Sequence, residues 1–232
     1  MANPLHLMLQ KKRVLLFDLF HTLTDRIPTH KPTTSEILGI QPKDWNEQLF
    51  MRSRARHSGE LRDPYEIIRK MAHAIDSSIS EAKIEFATNL RMQRFNETLE
   101  KIPQSNVIAL QKLRSLGKKI VLVSNADFTE IIAWNRSPIA PLFDATIFSC
   151  EVGFVKPERE IYELAMNKLS AVVADCAFIG DGACNELEGA KNLGMTTVMM
   201  KGIVQEIYPD EIPHRRKFAD YEIDRIIQLV EN

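Results

Sequence analysis

Four charged side chains and one hydroxyl–amide pair stand where chemistry would be done. Asp18 closes the apolar run Val14–Phe17, and Ser124-Asn125 follows Lys119–Val123. Lys156 lies in a loop before a helix-like stretch, and Asp181 with Glu186 follows Ala177–Ile179. Three carboxylates brought together raise one another's pKa and call for a cation beside them. Magnesium, which takes hard oxygen ligands, and the Lys156 ammonium are suitable partners. Serine and asparagine at a helix start offer donors to an anion. Singly, each feature has a plainer reading. Asp18 ends a strand, Ser124-Asn125 caps a helix, Lys156-Pro157 makes a surface turn, and Glu186 sits favourably at a helix dipole. Their joint occurrence at strand ends favours the chemical reading.

The elements that must position them alternate short apolar runs with helical patterns, as in a parallel sheet flanked by helices. Strands are expected at Arg13–Phe17, Lys119–Val123, Ala145–Phe148, Ala177–Ile179 and Thr196–Met200, and helices at Asn106–Leu116, Phe128–Trp134, Glu158–Leu169 and Asn185–Leu193. Gly117 and Gly194 fall where C-terminal caps belong, and Pro157 precedes a helix start. The segment from Asp25 to Pro103 carries amphipathic patterns at Trp45–His57, Pro64–Ile75 and Ser80–Lys101 without a buried strand. The expected fold is α/β: a Rossmann-like parallel sheet core with helices on both faces, formed by residues 1–24 and 104–232, plus an inserted all-helical subdomain over 25–103. Ligands of such sheets bind beyond the carboxyl ends of the strands, where the polar residues fall.

In this order they resemble the four signature motifs of the haloacid-dehalogenase-like (HAD) superfamily, over nearly the whole chain. Phe17-Asp18-Leu19-Phe20-His21-Thr22-Leu23 resembles the first motif, which implies Asp18 as a covalent nucleophile. Val123-Ser124-Asn125 resembles the second, which implies that Ser124, Asn125 and nearby backbone N–H groups, with Phe20 and His21 beside them, hold the substrate's anionic group. Gly153-Phe154-Val155-Lys156-Pro157-Glu158 resembles the third, whose lysine neutralises the nucleophile and the transferred group. Ile179-Gly180-Asp181-Gly182-Ala183-Cys184-Asn185-Glu186 resembles the fourth, whose acidic residues hold Mg2+. The resemblance implies a metal set of Asp18, the Phe20 carbonyl, Asp181 and Glu186, and matches the insert to the family's helical cap.

Phe20 departs from the pattern of HAD phosphatases, which carry there a second aspartate that protonates the leaving group and activates water. Such help is worth about 10²–10⁴-fold. An aromatic residue at this place resembles the 2-haloacid dehalogenases, whose leaving halide needs no proton and which need no metal. Gly180-Asp181 with Glu186 is nevertheless the metal-binding type of fourth motif, so a magnesium-dependent hydrolase of a small phosphorylated metabolite is expected. A metal-free dehalogenase and a catalytically weak phosphometabolite-binding protein are the alternatives. By residue type His21 is a candidate proton carrier, but its place three residues after Asp18 favours a structural or cap-facing role.

Bulk properties narrow the classes. With 232 residues, 44% apolar and 26% charged, the chain has material for a core and an insert; a net charge of −1 argues against a nucleic-acid partner. No apolar stretch approaches the length of a bilayer span, and three cysteines form neither a disulfide framework nor a zinc site. The expectation is a cytoplasmic protein acting on a small molecule, with oligomeric state open. In the insert, Arg52, Arg54, Arg56 and His57 are spaced to scatter around a helix and are expected mostly at the surface. Trp45, Phe50 and Phe86 are expected between insert helices, and Cys184 as a small filler.

Overall fold

A computed structural model describes residues 4–28 and 32–231. Helix α1 (Pro4–Lys11) precedes the first strand, β1 (Val14–Phe17). The chain then builds five helices with no strand among the described residues: α2 (Thr34–Leu38), α3 (Pro42–Phe50), α4 (Arg54–His57), α5 (Pro64–His73) and α6 (Glu81–Glu100). There follow α7 (Gln104–Ser115), β2 (Lys119–Ser124), β3 (Ala145–Phe148), α8 (Ser149–Val152), α9 (Arg159–Lys168), β4 (Cys176–Gly180), α10 (Glu186–Asn192), β5 (Thr196–Met200), α11 (Gly202–Ile207), α12 (Ile212–Arg215) and β6 (Tyr221–Ile223).

All six strands are parallel, in the order β3-β2-β1-β4-β5-β6. β1 is central, and its four residues are all buried, which explains its unbroken apolar run in place of an alternating one. Leu15 and Phe17 join one core layer, with α1 and α7; Val14 and Leu16 join the other, with α9 and α10. The insert has its own core around Trp45, Ile67, Ile68, Met71 and Ile84. Its helices are locally specified. Thr33 and Glu36 form a reciprocal capping box at α2, which stops at Gly39 with φ 73°. Asp63 accepts from the Glu66 N–H at the start of α5, with Pro64 in the first turn. No helix among the described residues is long and apolar enough to cross a membrane.

The structure corrects several expectations. Residues 45–57 are two helices, α3 and α4, separated by a turn at Met51-Arg52. No α-helix forms over Phe128–Trp134, because side chains there satisfy the backbone in a turn. Asp127 Oδ1 accepts from Thr129 N (2.8 Å) and Thr129 Oγ1, and Glu130 Oε2 accepts from Asp127 N (3.0 Å). Short 3-10 turns at Trp134–Arg136 and Ala140–Leu142 follow. β6 and the short helices α11 and α12 were not anticipated. Trp45 is buried, but Phe50 and Phe86 are 66% and 55% exposed and do not pack between helices.

Candidate active site

The parallel register brings the polar residues to one rim. Phe17 pairs with Leu122 on one side and Ile179 on the other, so β1, β2 and β4, which end at Phe17, Ser124 and Gly180, finish within two residues of one level. Asp18 N donates to Ile179 O at 2.9 Å, which fixes the first residue beyond β1 to β4. The Asp18 carboxylate is buried and both of its oxygens accept a hydrogen bond: Oδ2 from Thr22 Oγ1 (2.9 Å) and Oδ1 from Lys156 Nζ (2.6 Å).

Lys156 bridges two carboxylates, donating also to Glu186 Oε2 at 2.5 Å. Burial alone pulls the ammonium's pKa down, but the charges of Asp18 and Glu186 outweigh burial and hold it above its ordinary value. Asn125 sets the backbone of this lysine: its Nδ2 donates to Lys156 O (2.9 Å) and its Oδ1 accepts from Lys156 N (2.7 Å). The Asn125 amide thus braces Lys156 through its backbone, and Asn125 also lines the cavity beside it. Ser124 is fully buried, and its Oγ has no hydrogen-bond partner. An orphaned buried hydroxyl costs about 1–3 kcal/mol.

On the fourth loop, Asp181 Oδ1 accepts from Ala183 N (2.8 Å), and Glu186 Oε1 accepts from Gly182 N (2.9 Å). Tyr162 Oη donates to Glu186 O at 2.8 Å. Gly180 must be glycine, since a Cβ there would lie 2.1 Å from Glu186 Oε1. Burial first, and the Asp18 charge second, raise the carboxyl pKa of both Asp181 and Glu186.

Oxygens of Asp18, Asp181 and Glu186 lie within 4.8 Å of one another. Hard oxygen donors at this spacing fit Mg2+, whose ligands stand at about 2.1 Å, after a small inward shift.

Phe20 and His21 line the same cavity, of about 600 Å³. Phe20 packs edge-on against Phe95 of α6, with centroids 5.2 Å apart. His21 adopts φ 60° and lies 6.4 Å, ring to ring, from Tyr208. Cys184 also faces the cavity and is exposed, so it is not a packed filler.

Two features were missed. Arg215, from α12, donates to Asp181 Oδ2 and to Asp181 O, both at 2.9 Å. Arg56, expected at the surface with its neighbours, is buried: it reaches Asp127 Oδ2 at 2.6 Å, while Arg91 pairs with Glu130 and donates to Thr129 Oγ1 at 2.9 Å. Arg52 and Arg54 are exposed and pair with Glu47 and Glu158. His57 lines the cavity, and burial, then Arg56, pushes its pKa down to about 3. Thr22, four residues after Asp18, was within reach of a spacing argument; Arg56 and Arg215 were not.

Residues 12–194 match the family profile of the haloacid dehalogenase-like hydrolases. Over 126 residues the chain is 29% identical to the glyceraldehyde 3-phosphate phosphatase of Methanocaldococcus jannaschii, covering 53% of this chain and 52% of that one; the chain thus spans about half the length of that curated relative. Its fold is similar to the L-2-haloacid dehalogenase of Xanthobacter autotrophicus with covalently bound chloropropionic acid (TM-score 0.63, 16% identity, 94% of this chain and 96% of the other). It is also similar to a HAD-family enzyme of Bacteroides thetaiotaomicron in complex with magnesium and inorganic phosphate (TM-score 0.59, 21% identity, 81% and 93%).

Proposed function

Because the chain belongs to the haloacid dehalogenase-like hydrolases, we propose that it is a magnesium-dependent phosphatase of a small phosphorylated metabolite, working in the cytoplasm. The observation that carries this reading is the convergence of three carboxylates and one ammonium: Lys156 Nζ touches both Asp18 and Glu186, and Asp181 completes the metal-ligand set. The phosphatase name of the Methanocaldococcus relative supports the choice of phosphoryl over halide chemistry.

In this mechanism an Asp18 carboxylate oxygen attacks phosphorus, the bond from phosphorus to the ester oxygen breaks, and an aspartyl-phosphate forms. Water then attacks that phosphorus, the bond from phosphorus to the Asp18 oxygen breaks, and the Asp18 carboxylate and inorganic phosphate are released; water's proton passes to solvent, from which the departed alkoxide takes one. Lys156 holds Asp18 in line and offsets charge on the transferred oxygens. Asn125 positions Lys156 through its backbone, and the Ser124 hydroxyl donates to a phosphoryl oxygen. Mg2+ held by Asp18, the Phe20 carbonyl, Asp181 and Glu186 would supply electrostatic stabilisation of the phosphoryl group. Phe20 can carry no proton, so alkoxides of high pKa leave slowly and turnover is modest. Residues 25–103 act as a cap: they contribute Arg91, Arg94 and Phe95 to the cavity wall and exclude bulk water when closed.

A second reading, 2-haloacid dehalogenation through an ester at Asp18, is favoured by Phe20 alone. A panel of phosphoesters and 2-haloacids, each with Mg2+ and with EDTA, separates the two. Phosphate release that needs Mg2+ and is abolished in Asp18→Asn is the expected result. Halide release indifferent to EDTA would overturn it, and binding without turnover, unchanged in Asp18→Asn, would make the protein a sensor.

A further inference from the structure

Arg215 grips Asp181 twice, with one guanidinium nitrogen, Nη1, donating to both the side chain and the main chain. Its other edge donates to Glu211 Oε2, from Nε at 3.0 Å and from Nη2. The loop is folded directly onto this arginine: a Cβ at Gly182 would stand 3.0 Å from Arg215 Cβ and 3.1 Å from its Cδ. The side chains of Arg215 and Asp181 are 6% and 3% exposed, whereas Glu211 is 53% exposed. The cation therefore acts on Asp181 with little screening by water, while its outer partner is well screened.

We propose that Arg215 is a positioning residue that holds Asp181 and also sets the strength of the divalent-cation site, keeping it weak until a phosphoryl group is present. This rests on the magnesium-phosphatase reading. Three carboxylates, Asp18, Asp181 and Glu186, face two buried cations, Lys156 and Arg215, which leaves one formal negative charge; Phe20 adds none. A divalent cation alone overshoots that charge, and a phosphoryl dianion restores the balance. Cation and phosphoryl group should each tighten the other's binding by the same factor. No group changes its covalent state; the effect is one of charge and position.

The test is calorimetric titration of the full chain with Mg2+, with and without inorganic phosphate. Phosphate is expected to tighten Mg2+ binding to the wild type about tenfold. Arg215→Met should bind Mg2+ alone about tenfold more tightly than wild type, with most of the phosphate dependence gone. Glu211→Gln, which removes the outer carboxylate partner of Arg215, should weaken Mg2+ binding about threefold. Arg215→Lys keeps the charge and should stay near wild type; if Arg215→Met does not fold, Arg215→Gln, which also removes the charge, takes its place with the same expectation and the same refuting result. A purely structural role would weaken Mg2+ binding in both Arg215→Met and Glu211→Gln, so unchanged or weaker binding in Arg215→Met overturns the assignment, as does an increase in Glu211→Gln. Absence of Mg2+ binding in every protein, phosphate present or not, would instead refute the metal reading of the site.

Discussion

Arg56→Met tests the contact that fastens the helical insert to the sheet. Arg56 Nη1 lies 2.6 Å from Asp127 Oδ2, with side-chain exposures of 6% and 0%. Removing one partner of a buried pair costs about 3–5 kcal/mol, because the remaining charge loses its compensation. Arg91 Nη2 stands 3.6 Å from the same oxygen and keeps part of that compensation, which places the expected loss near 3 kcal/mol. For a chain of this length each kcal/mol lowers Tm by about 2–4 °C, so the drop should be about 6–12 °C. In an Asp127→Asn background the same substitution should cost only about 1 kcal/mol, since no buried carboxylate is left unpaired. Urea unfolding read by circular dichroism and by tryptophan fluorescence measures all four corners of the cycle. Trp45 lies in the insert core and Trp134 in the sheet's core layer, so coincident transitions would also show the two parts unfolding together. A cost below about 1 kcal/mol for Arg56→Met, or an equal cost in both backgrounds, would refute the argument.

Three further outcomes are expected. Phe20→Asp restores a proton carrier two residues after the nucleophile and should speed hydrolysis of alkyl phosphates by about 10²-fold, the low end for such help because the contact with Phe95 is lost; steady-state kinetics showing no gain would mean that Phe20 is not what limits the reaction. Burial, then the Asp127 charge, pushes the Glu130 carboxyl up to about 7 from its usual 4.5. The folded state thus holds a proton that the unfolded chain releases, so stability is fully present below pH 4.5 and falls as pH rises towards about 7. Glu130→Gln should flatten that fall in urea midpoints measured across the range, and an unchanged slope would assign it elsewhere. Gly59 has φ 73°, and a Cβ there would lie 1.9 Å from Cys150 O; Gly59→Ala should cost about 3 kcal/mol or more, from strain and overpacking together, and a loss within measurement error would show that the backbones do not meet there.

How much of this was legible in the sequence depended on range. The strand ends could be read because Asp18, Ser124 and Asp181 each interrupt an apolar run that is buried on both faces. The turn after β2 could not, because the pattern at Phe128–Trp134 looks helical while Asp127 and Glu130 spend their carboxylates on local N–H groups. β6, three residues long at the sheet edge with a single buried residue, carries too little apolar signal. Phe50 and Phe86 are large apolar residues on insert helices, yet both are open to solvent, so apolar type alone misplaces them. Arg56 and Arg215 find their acids 71 and 34 residues away, and no local pattern encodes such a pairing. Lys156 was recognisable by its motif, but that Asn125 secures it through the backbone required coordinates.

The position of β1 has a consequence for assembly. The strand that presents Asp18 is the earliest of the six along the chain, yet both its neighbours lie far downstream, β2 at residue 119 and β4 at residue 176. Contacts of such large sequence separation slow folding and leave apolar edges waiting during synthesis. Val14–Phe17 emerges from the ribosome well before either side can be covered, and Arg215 arrives later still. A chain cut short after α10 would carry every recognisable motif and still lack the side chain that clamps Asp181.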